Sequence, residues 1–334
     1  KGMLTWLYDE DRWPSGYGGG FVTAEPKHRA KFLLFTPTPY GQGKIANHTD
    51  STAAGTRQEN GELLARYAVA LTDGYLTDYR VLADDEQPAK GETLWYAYLE
   101  TANPSPWFNN QTYVDTLSPE AMQRFIEVTH ERYKQVLGDA FGKDVPAIFT
   151  DEPQFTHKRM LRFAEQPMDL AWPWTTDLDE AFAGQFGESI LTHFPEVVWD
   201  LPDRKVSLWR YRYHEWVAER FSQSFSDQLG DWCDANGIAL TGHMMEESTL
   251  AMQTKALGEA MRSYRTMHIP GIDMLCDWEE LTTAKQAQSA ARQYGRAGVM
   301  SELYGVTGWH YPFEGHKRQG DWQAALGVLF RVHH

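Results

Sequence analysis

The chain has 334 residues, of which 42% are hydrophobic and 23% are charged, so it is long enough to bury a full core. Its 31 basic and 46 acidic residues give a formal charge of −15, which argues against nucleic acid or an anionic membrane surface as a partner. Aromatic residues make up 13%, and exposed rings are good platforms for sugars. The composition therefore favours a globular protein with a neutral ligand, and it leaves the oligomeric state open.

Neither the two cysteines nor the start of the chain indicates a cellular compartment. Cys233 and Cys276 have neither metal-ligand spacing nor the pattern of a disulfide framework. No apolar segment of about 18 residues and no signal peptide is visible. The chain enters a predicted strand directly at Met3, which is typical of a fragment. We therefore make no prediction of localisation.

The first part of the chain is predicted to be rich in strands. Residues 3–8 form a buried strand, and the glycines that follow do not match a phosphate-binding loop, so we expect a tight turn. Between about 30 and 92, short alternating segments separated by turn residues predict an antiparallel insertion. A helix then begins at Ser118, where Pro119 takes the first helical position.

The second part of the chain alternates strands and helices. Predicted strands begin at residues 145, 238, 271, 298 and 328, with helices over 206–236 and 282–296. This order favours right-handed βαβ units. With strands beginning at residues 3 and 93, the count is seven. We therefore expect a (β/α)8 TIM barrel of which the first strand is missing, forming one catalytic domain over residues 1–334 with the antiparallel β insertion at about 30–92.

Two glutamates stand where such a barrel carries its chemistry. Glu152 follows the apolar run 145–149, and Glu302 follows a second run that starts at Gly298. Hydrolysis of a glycosidic bond needs one carboxylic acid to protonate the leaving oxygen and one carboxylate as nucleophile or base. The alternative is structural: Asp151 and Glu152 cap the next loop, and Glu302 pairs with a nearby Arg or His. We predict Glu152 and Glu302 as the catalytic pair, with Asp151 raising the pKa of Glu152.

Several segments together resemble a known family. They are residues 7–16 (LYDEDRWPSG), 149–153 (FTDEP), 241–243 (TGH) with Glu246, and 301–309 (SELYGVTGW). They resemble the barrel domain of bacterial glycoside hydrolases similar to α-L-rhamnosidases of glycoside hydrolase family 106. The resemblance implies that Glu152 lies on barrel strand four and Glu302 on strand seven, as in the large 4/7 superfamily of retaining enzymes, although family 106 is inverting. It also implies a carbohydrate substrate such as an α-L-rhamnoside.

The resemblance implies calcium as a possible cofactor. The sequence itself requires none, and no contiguous calcium-binding loop occurs. We assign no metal ligands.

Further polar and aromatic residues near the predicted strand ends are candidates for substrate binding. These are Asp9, Glu10, Arg12, Asp151, His243, Glu246, Asp277, Tyr304, Trp309, Glu314 and His316. Acidic groups and histidines can bond sugar hydroxyls, and the rings can stack on a sugar. The alternatives are a solvated loop with an ion pair at Arg12, a structural histidine at 243 and a packed loop after Trp309. Asp273 flanks the same strand as Asp277, and for both residues either a role in substrate binding or a structural role is open.

Two other classes of function remain open. A metal-dependent amidohydrolase would need a His-x-His pair on its first strand, and only His243, His333 and His334 are available near strand ends. A non-catalytic carbohydrate-binding barrel, or an inert partial barrel, would not need intact Glu152 and Glu302. We therefore predict a glycoside hydrolase.

Overall fold

The computed structural model describes residues 2–45 and 55–333, and the chain packs as two compact units. The first unit comprises Lys1–Val22, Pro119–Gln154 and Arg220–His334, and the second comprises Thr23–Ser118 and Phe155–Glu219. Residues 46–54 lie outside the described residues, and they belong to the predicted insertion. The terminal residues Lys1 and His334 also lie outside them. The prediction of one catalytic domain stays a prediction, because compact units and functional domains are different divisions.

Strands and helices are distributed over the whole described chain. The eleven strands within the described ranges are β1 (Leu7–Tyr8), β2 (Lys31–Thr36), β3 (Glu62–Thr72), β4 (Tyr75–Val81), β5 (Thr93–Thr101), β6 (Ala147–Asp151), β7 (Leu170–Pro173), β8 (Ala239–His243), β9 (Ile269–Asp273), β10 (Val299–Leu303) and β11 (Val328–His333). The ten α-helices in the same ranges are α1 (Pro119–Val128), α2 (His130–Leu137), α3 (Leu178–Phe186), α4 (Ile190–Val198), α5 (Leu208–Phe221), α6 (Gln228–Asn236), α7 (Leu250–Ala256), α8 (Ala260–Ser263), α9 (Leu281–Gln293) and α10 (Phe313–Ala325). Among the described residues, no helix is long and apolar enough to cross a membrane.

The first unit is built around a parallel sheet. Its six strands lie in the order β1-β6-β8-β9-β10-β11, and every pair is parallel. Residues such as Ile148 and Met300 are fully buried within it, as expected for strands that are covered on both faces. Helices α6, α9 and α10 lie between successive strands in the chain, since parallel neighbours need a crossover connection. The carboxyl ends of all six strands therefore meet at one edge.

The prediction of a (β/α)8 TIM barrel is wrong. The parallel sheet is a six-stranded half-barrel, and the described residues do not form a closed eightfold alternation of strands and helices. The strand predicted at residue 93 is β5, which pairs antiparallel with β2 and β3 instead of joining the barrel. A local pattern identifies a strand, but its pairing partner depends on distant residues, so the count of strands did not determine the architecture.

The second unit holds an antiparallel sheet in the order β4-β3-β5-β2-β7. The segments predicted as an insertion contribute β2, β3 and β4, and β7 comes from residues beyond that insertion. Rings fill its core: the centroids of Phe35 and Trp95 lie 5.0 Å apart, and Trp199 meets Trp95 edge-on at 5.0 Å. Trp199 is only 2% exposed. These tryptophans are therefore core residues and not sugar platforms.

Candidate active site

Four neighbouring strands of the parallel sheet carry a polar residue at or next to their carboxyl ends, and these side chains converge. Asp151 ends β6 and pairs in register with His243, the last residue of β8. Asp273 ends β9 and pairs in register with Glu302 on β10. We call Asp151, His243, Asp273 and Glu302 the polar ring. It forms without any loop contribution, because parallel strands present their carboxyl ends at one edge.

His243 is the centre of this group. Its side chain is 1% exposed, and its Nε2 lies 2.9 Å from Oε2 of Glu302 and 3.5 Å from Oδ1 of Asp151. Burial alone would lower the pKa of His243, but the hydrogen bond to Glu302 and the charges of Asp151 and Asp273 outweigh it and raise the pKa well above its ordinary value. The imidazole is therefore a cation that bridges two carboxylates.

Glu152 follows β6 directly and has an unusual backbone. Its φ of 45° lies in the left-handed region, which costs energy for a residue other than glycine, and its amide donates to the carbonyl of His243 at 3.1 Å. Oε2 accepts a 2.5 Å hydrogen bond from the indole of Trp13. Burial raises the pKa of Glu152 to about 8, and the charges of Asp151 and Asp273 help it outweigh the opposing effects of His243 and Trp13. This carboxyl group therefore holds a proton at neutral pH.

Asp151 is held from both sides of its strand end. Its Oδ2 accepts a 2.5 Å hydrogen bond from the hydroxyl of Tyr8 on the neighbouring strand β1. Its backbone amide donates to Oγ of Ser15, and the amide of Ser15 donates back to the carbonyl of Asp151, both at 2.8 Å. The loop after β1 is thereby attached to the end of β6. Burial and the charge of Asp151 raise the pKa of Tyr8, so its phenol remains a donor.

A cavity opens beside the polar ring. Its volume is about 520 Å³, within the range of roughly 300–1,000 Å³ that is usual for small-molecule sites. The lining residues come from β1, β6, β10 and β11: Trp6, Leu7, Tyr8, Phe149, Asp151, Glu302, Arg331, Val332 and His333. The cavity thus offers two carboxylates, a phenol and several rings to a bound molecule.

Two groups of side chains come close enough to be considered for a metal ion. They are Asp151 with His243 and Glu302, and Glu152 with His243 and Asp273, in each of which one ligand atom per residue lies within 4.8 Å of the others. Calcium takes about six to eight oxygen ligands, whereas both groups depend on one imidazole whose Nε2 already bonds Glu302. These residues do not fit calcium. A transition metal would need the neutral imidazole of His243 as a ligand.

The acidic loop residues lie inside the loop and not along this cavity. Oδ1 of Asp9, which is fully buried, accepts from the hydroxyl of Ser15 at 2.5 Å. Oε2 of Glu10 accepts backbone N–H groups of Gly16 at 3.1 Å and Gly18 at 2.7 Å. The side chain of Arg12 donates to its neighbour Asp11. The carboxylate of Glu10 therefore organises the glycine turn.

The remaining predicted binding residues do not line the cavity. Glu246 lies 3.8 Å from the ammonium of Lys255, and the half-exposed Asp277 lies 3.5 Å from Arg318. Trp309 is fully exposed, and Glu314 on helix α10 is also exposed. The structure therefore brings Asp151 and Glu302 to the cavity, with His243 and Glu152 beside them. Glu246, Asp277, Trp309 and Glu314 lie elsewhere in the same unit.

Tyr304 and His316 belong to a packed loop. Tyr304 is 7% exposed, and its hydroxyl donates to the carbonyl of His316 at 3.0 Å. Their ring centroids lie 4.5 Å apart, and Nδ1 of His316 lies 2.9 Å from the carbonyl oxygen of Pro312. Tyr304 also contacts His333, which does line the cavity, with ring centroids 5.6 Å apart. Tyr304 thus supports the cavity wall from behind.

Three residues of the site were not among the sequence candidates. Tyr8 ends a predicted strand, so the rule that selected Glu302 could have selected it as well. Trp13 lies in a loop within the segment 7–16 that carries the family resemblance, but no role was predicted for it. Glu247, which is 5% exposed, accepts from the hydroxyl of Tyr264 at 2.5 Å and from the amide of Asp273 at 3.3 Å, and burial raises its pKa to about 7. Glu247 thereby holds the end of β9, and its predicted neighbour Glu246 is half-buried.

Comparison with known proteins gives a likeness of fold. No protein-family model matches the chain, and no curated protein matches it. Among solved structures, the chain is similar to the rhamnosidase from Novosphingobium sp. PP1Y, with a TM-score of 0.53 and 14% identity over 92% of this chain and 42% of the rhamnosidase chain. The chain thus spans less than half of that protein. At this identity the likeness shows a shared fold alone.

Proposed function

We propose that the chain is a glycoside hydrolase in which Glu152 is the general acid and Glu302 is the nucleophile or base. The observation that carries the proposal is the contrast between these two carboxyl groups around His243. One is buried against Trp13 with a pKa of about 8, and the other is paired with a cationic imidazole 2.9 Å away. When two carboxyl groups have environments that keep one protonated and the other ionised, the first can act as the general acid and the second as the nucleophile or base.

The acid role fits Glu152 because its proton is present at neutral pH and its carboxyl group has a fixed orientation. The bond from Trp13 occupies Oε2, so Oε1 is the atom that can carry the proton to a leaving group. As the bond between the anomeric carbon and the glycosidic oxygen breaks, the proton moves to that oxygen and Glu152 becomes a carboxylate. His243, whose charge lowers the pKa of Glu152, stabilises the anion that this step creates.

The role of nucleophile or base fits Glu302, because this residue lines the cavity and its carboxylate accepts a hydrogen bond from the cationic His243. A carboxylate in this position can attack the anomeric carbon directly or take a proton from an attacking water. Asp151, also on the lining, is bonded to Tyr8 and is available for sugar hydroxyls. We place the sugar ring in this cavity, with Tyr8 and Phe149 among the rings that it contacts.

The identity of the sugar is proposed from the sequence resemblance and the shared fold, and not from the geometry of the site. The sequence segments resemble family 106 α-L-rhamnosidases, and a rhamnosidase shares the fold. We therefore propose a neutral sugar such as an α-L-rhamnoside as the substrate. Calcium is not part of the proposal, because the donor atoms at the ring do not fit it.

The test compares Glu152→Gln and Glu302→Gln on 4-nitrophenyl glycosides and on natural glycosides of the same sugar. We expect both variants to lose several orders of magnitude on the natural glycoside. Glu152→Gln should recover much of its activity on the nitrophenyl substrate, whose leaving group needs no proton, and Glu302→Gln should not. The anomer of the first product, read by NMR, separates retention from inversion.

The matched control is Glu279→Gln, an exposed glutamate of the same unit, which should behave as wild type. Circular dichroism confirms that each variant is folded. Near-normal turnover of both folded Glu152→Gln and Glu302→Gln would contradict the proposal and favour a carbohydrate-binding role.

A metal-dependent hydrolase is the second candidate, and the two groups of carboxylates around His243 are the observation that favours it. Metal analysis of the purified protein, followed by dialysis against a chelator, separates the two. A stoichiometric transition metal whose removal abolishes activity would favour this candidate. Full activity of a metal-depleted sample would favour the glycoside hydrolase.

A further inference from the structure

The second unit holds a cavity of its own, with a volume of about 420 Å³. Its walls combine apolar and polar surface, and Leu161, Phe163, Val198 and Trp199 are among the apolar lining residues. Four basic side chains also line it: Lys158, Arg162, Arg210 and His214. A cavity with apolar walls and converging polar groups has the composition of a small-molecule site.

Lys158 is the most informative of these residues. It is only 8% exposed, and its ammonium lies 5.5 Å from the centre of the Trp172 ring. In the described chain it has no ion pair and no hydrogen bond. Burial, helped by the charge of Arg210, lowers the pKa of Lys158 to about 8, so the group is still mostly cationic near neutral pH. A buried ammonium without a counter-ion is costly, and folded proteins normally pair such a group.

The neighbouring groups do not supply that counter-ion. Asp200 lines the cavity, but its carboxylate is largely exposed and accepts a 2.6 Å hydrogen bond from Arg210. The Nε of Arg210 donates to the carbonyl of Val197 at 3.1 Å, so Arg210 is already engaged. His214 has no hydrogen bond within the described ranges, and burial together with the charges of Lys158 and Arg210 lowers its pKa to about 3. The imidazole is therefore neutral and can donate one N–H.

We propose that this cavity binds a small organic monocarboxylate, with its carboxylate on Lys158 and His214 and its apolar body against the Leu161 and Trp199 side of the cavity. Lys158 is the buried cation of this lining that has no ion pair in the described chain, which matches one negative charge. A phosphate dianion would require a second buried cation, whereas Arg210 is bonded to Asp200 and Arg162 is exposed to solvent. The indole Nε1 of Trp172 is also buried without a partner, which adds a donor at the inner end of the site. The inference is independent of the proposed glycosidase activity.

The test uses the whole chain and calorimetry with benzoate, with its neutral isostere benzamide, and with inorganic phosphate. We expect benzoate to bind with one site per chain, and benzamide at least tenfold more weakly. Lys158→Met should weaken benzoate binding at least tenfold, and Lys158→Arg should restore part of it. Lys205→Met, at an exposed lysine of the same unit, should leave binding unchanged.

Equal binding of benzoate and benzamide to the wild-type chain would overturn the proposal, and this comparison does not require any variant to fold. Absence of benzoate binding would overturn it as well. Binding of phosphate in place of benzoate, lost in Lys158→Met, would overturn the assignment to a carboxylate. Benzoate binding that Lys158→Met leaves unchanged would show that the ligand occupies another site.

Discussion

The indole N–H of Trp13 donates a 2.5 Å hydrogen bond to Oε2 of Glu152. A donor of this kind favours the charged form of the carboxyl group, whereas burial favours the neutral form. Burial prevails, so the pKa of Glu152 rises to about 8. Trp13 therefore limits the rise, and it also holds the carboxyl group in one orientation.

Trp13→Phe should change the pH profile of the proposed reaction. Without the donor, the pKa of Glu152 rises further, so the fall in kcat/KM on the alkaline side, expected near pH 8 in the wild type, should move to higher pH. The maximum of kcat/KM should fall about tenfold, because a lost hydrogen bond to a reacting group is worth about 1 kcal/mol or more. Trp278→Phe, at an exposed tryptophan, is the control. A lower maximum with an unmoved alkaline limb would mean that Trp13 acts only on packing.

Tyr8→Phe should lower kcat more than it affects folding. The hydroxyl of Tyr8 holds Oδ2 of Asp151 at 2.5 Å, and Asp151 competes with Glu302 for His243. Once released, Asp151 draws the imidazole from Glu302, so we expect kcat to fall about tenfold. Because Tyr8 is 37% exposed, the free energy of unfolding should change by less than about 1 kcal/mol.

Steady-state kinetics and urea unfolding measure the two effects of Tyr8→Phe. Tyr294→Phe, at a tyrosine 47% exposed, serves as the matched control. An increase in KM with unchanged kcat would contradict the positioning of Asp151 by Tyr8 and leave Tyr8 with its contact to the sugar alone.

The polar ring was predictable in part because it depends on strand ends. Apolar runs bounded by Gly or Pro locate the ends of β6 and β10, and parallel strands bring their carboxyl ends together, so Glu152 and Glu302 could be selected from local patterns. His243 was selected for the same reason. Asp273 was noted beside a strand, with a binding role and a structural role both open, since its register with Glu302 is visible only in the structure.

Residues that depend on distant contacts could not be predicted. β5 has the alternation of a strand, but its antiparallel partners decide which sheet it joins. Trp309 follows a strand end, and its loop places it in solvent and outside the cavity lining, so its role as a sugar platform stays a prediction. Lys158 has no sequence signal at all, because its isolation from acidic groups is a property of the folded cavity. Local periodicity thus predicts strand ends better than it predicts loops or pairing.

Gly242→Ala should destabilise the parallel sheet. Gly242 in β8 has a φ of 128°, and a Cβ there would lie 1.9 Å from the carbonyl oxygen of Thr150 in β6. Backbone atoms cannot move aside without separating the two strands, so we expect a loss of about 3 kcal/mol in the free energy of unfolding. Gly138→Ala, whose Cβ would meet only a lysine side chain at 3.6 Å, should change it by less than about 1 kcal/mol. Equal urea midpoints for the two variants would contradict this account.

Asp9→Asn should stabilise the protein at alkaline pH. Asp9 is fully buried, and burial raises its pKa to about 7, although the bond from Ser15 opposes the shift. The folded state keeps this proton where the unfolded chain, with a pKa near 3.9, releases it, so wild-type stability falls as pH rises from about 4 to about 7. Asparagine keeps the acceptor for Ser15 without the charge. Urea unfolding should show matching stabilities near pH 4 and an advantage of about 3 kcal/mol for the variant at pH 8. The exposed neighbour Asp11, changed to Asn, should give no such divergence, and parallel wild-type and Asp9→Asn curves would refute the titration of Asp9.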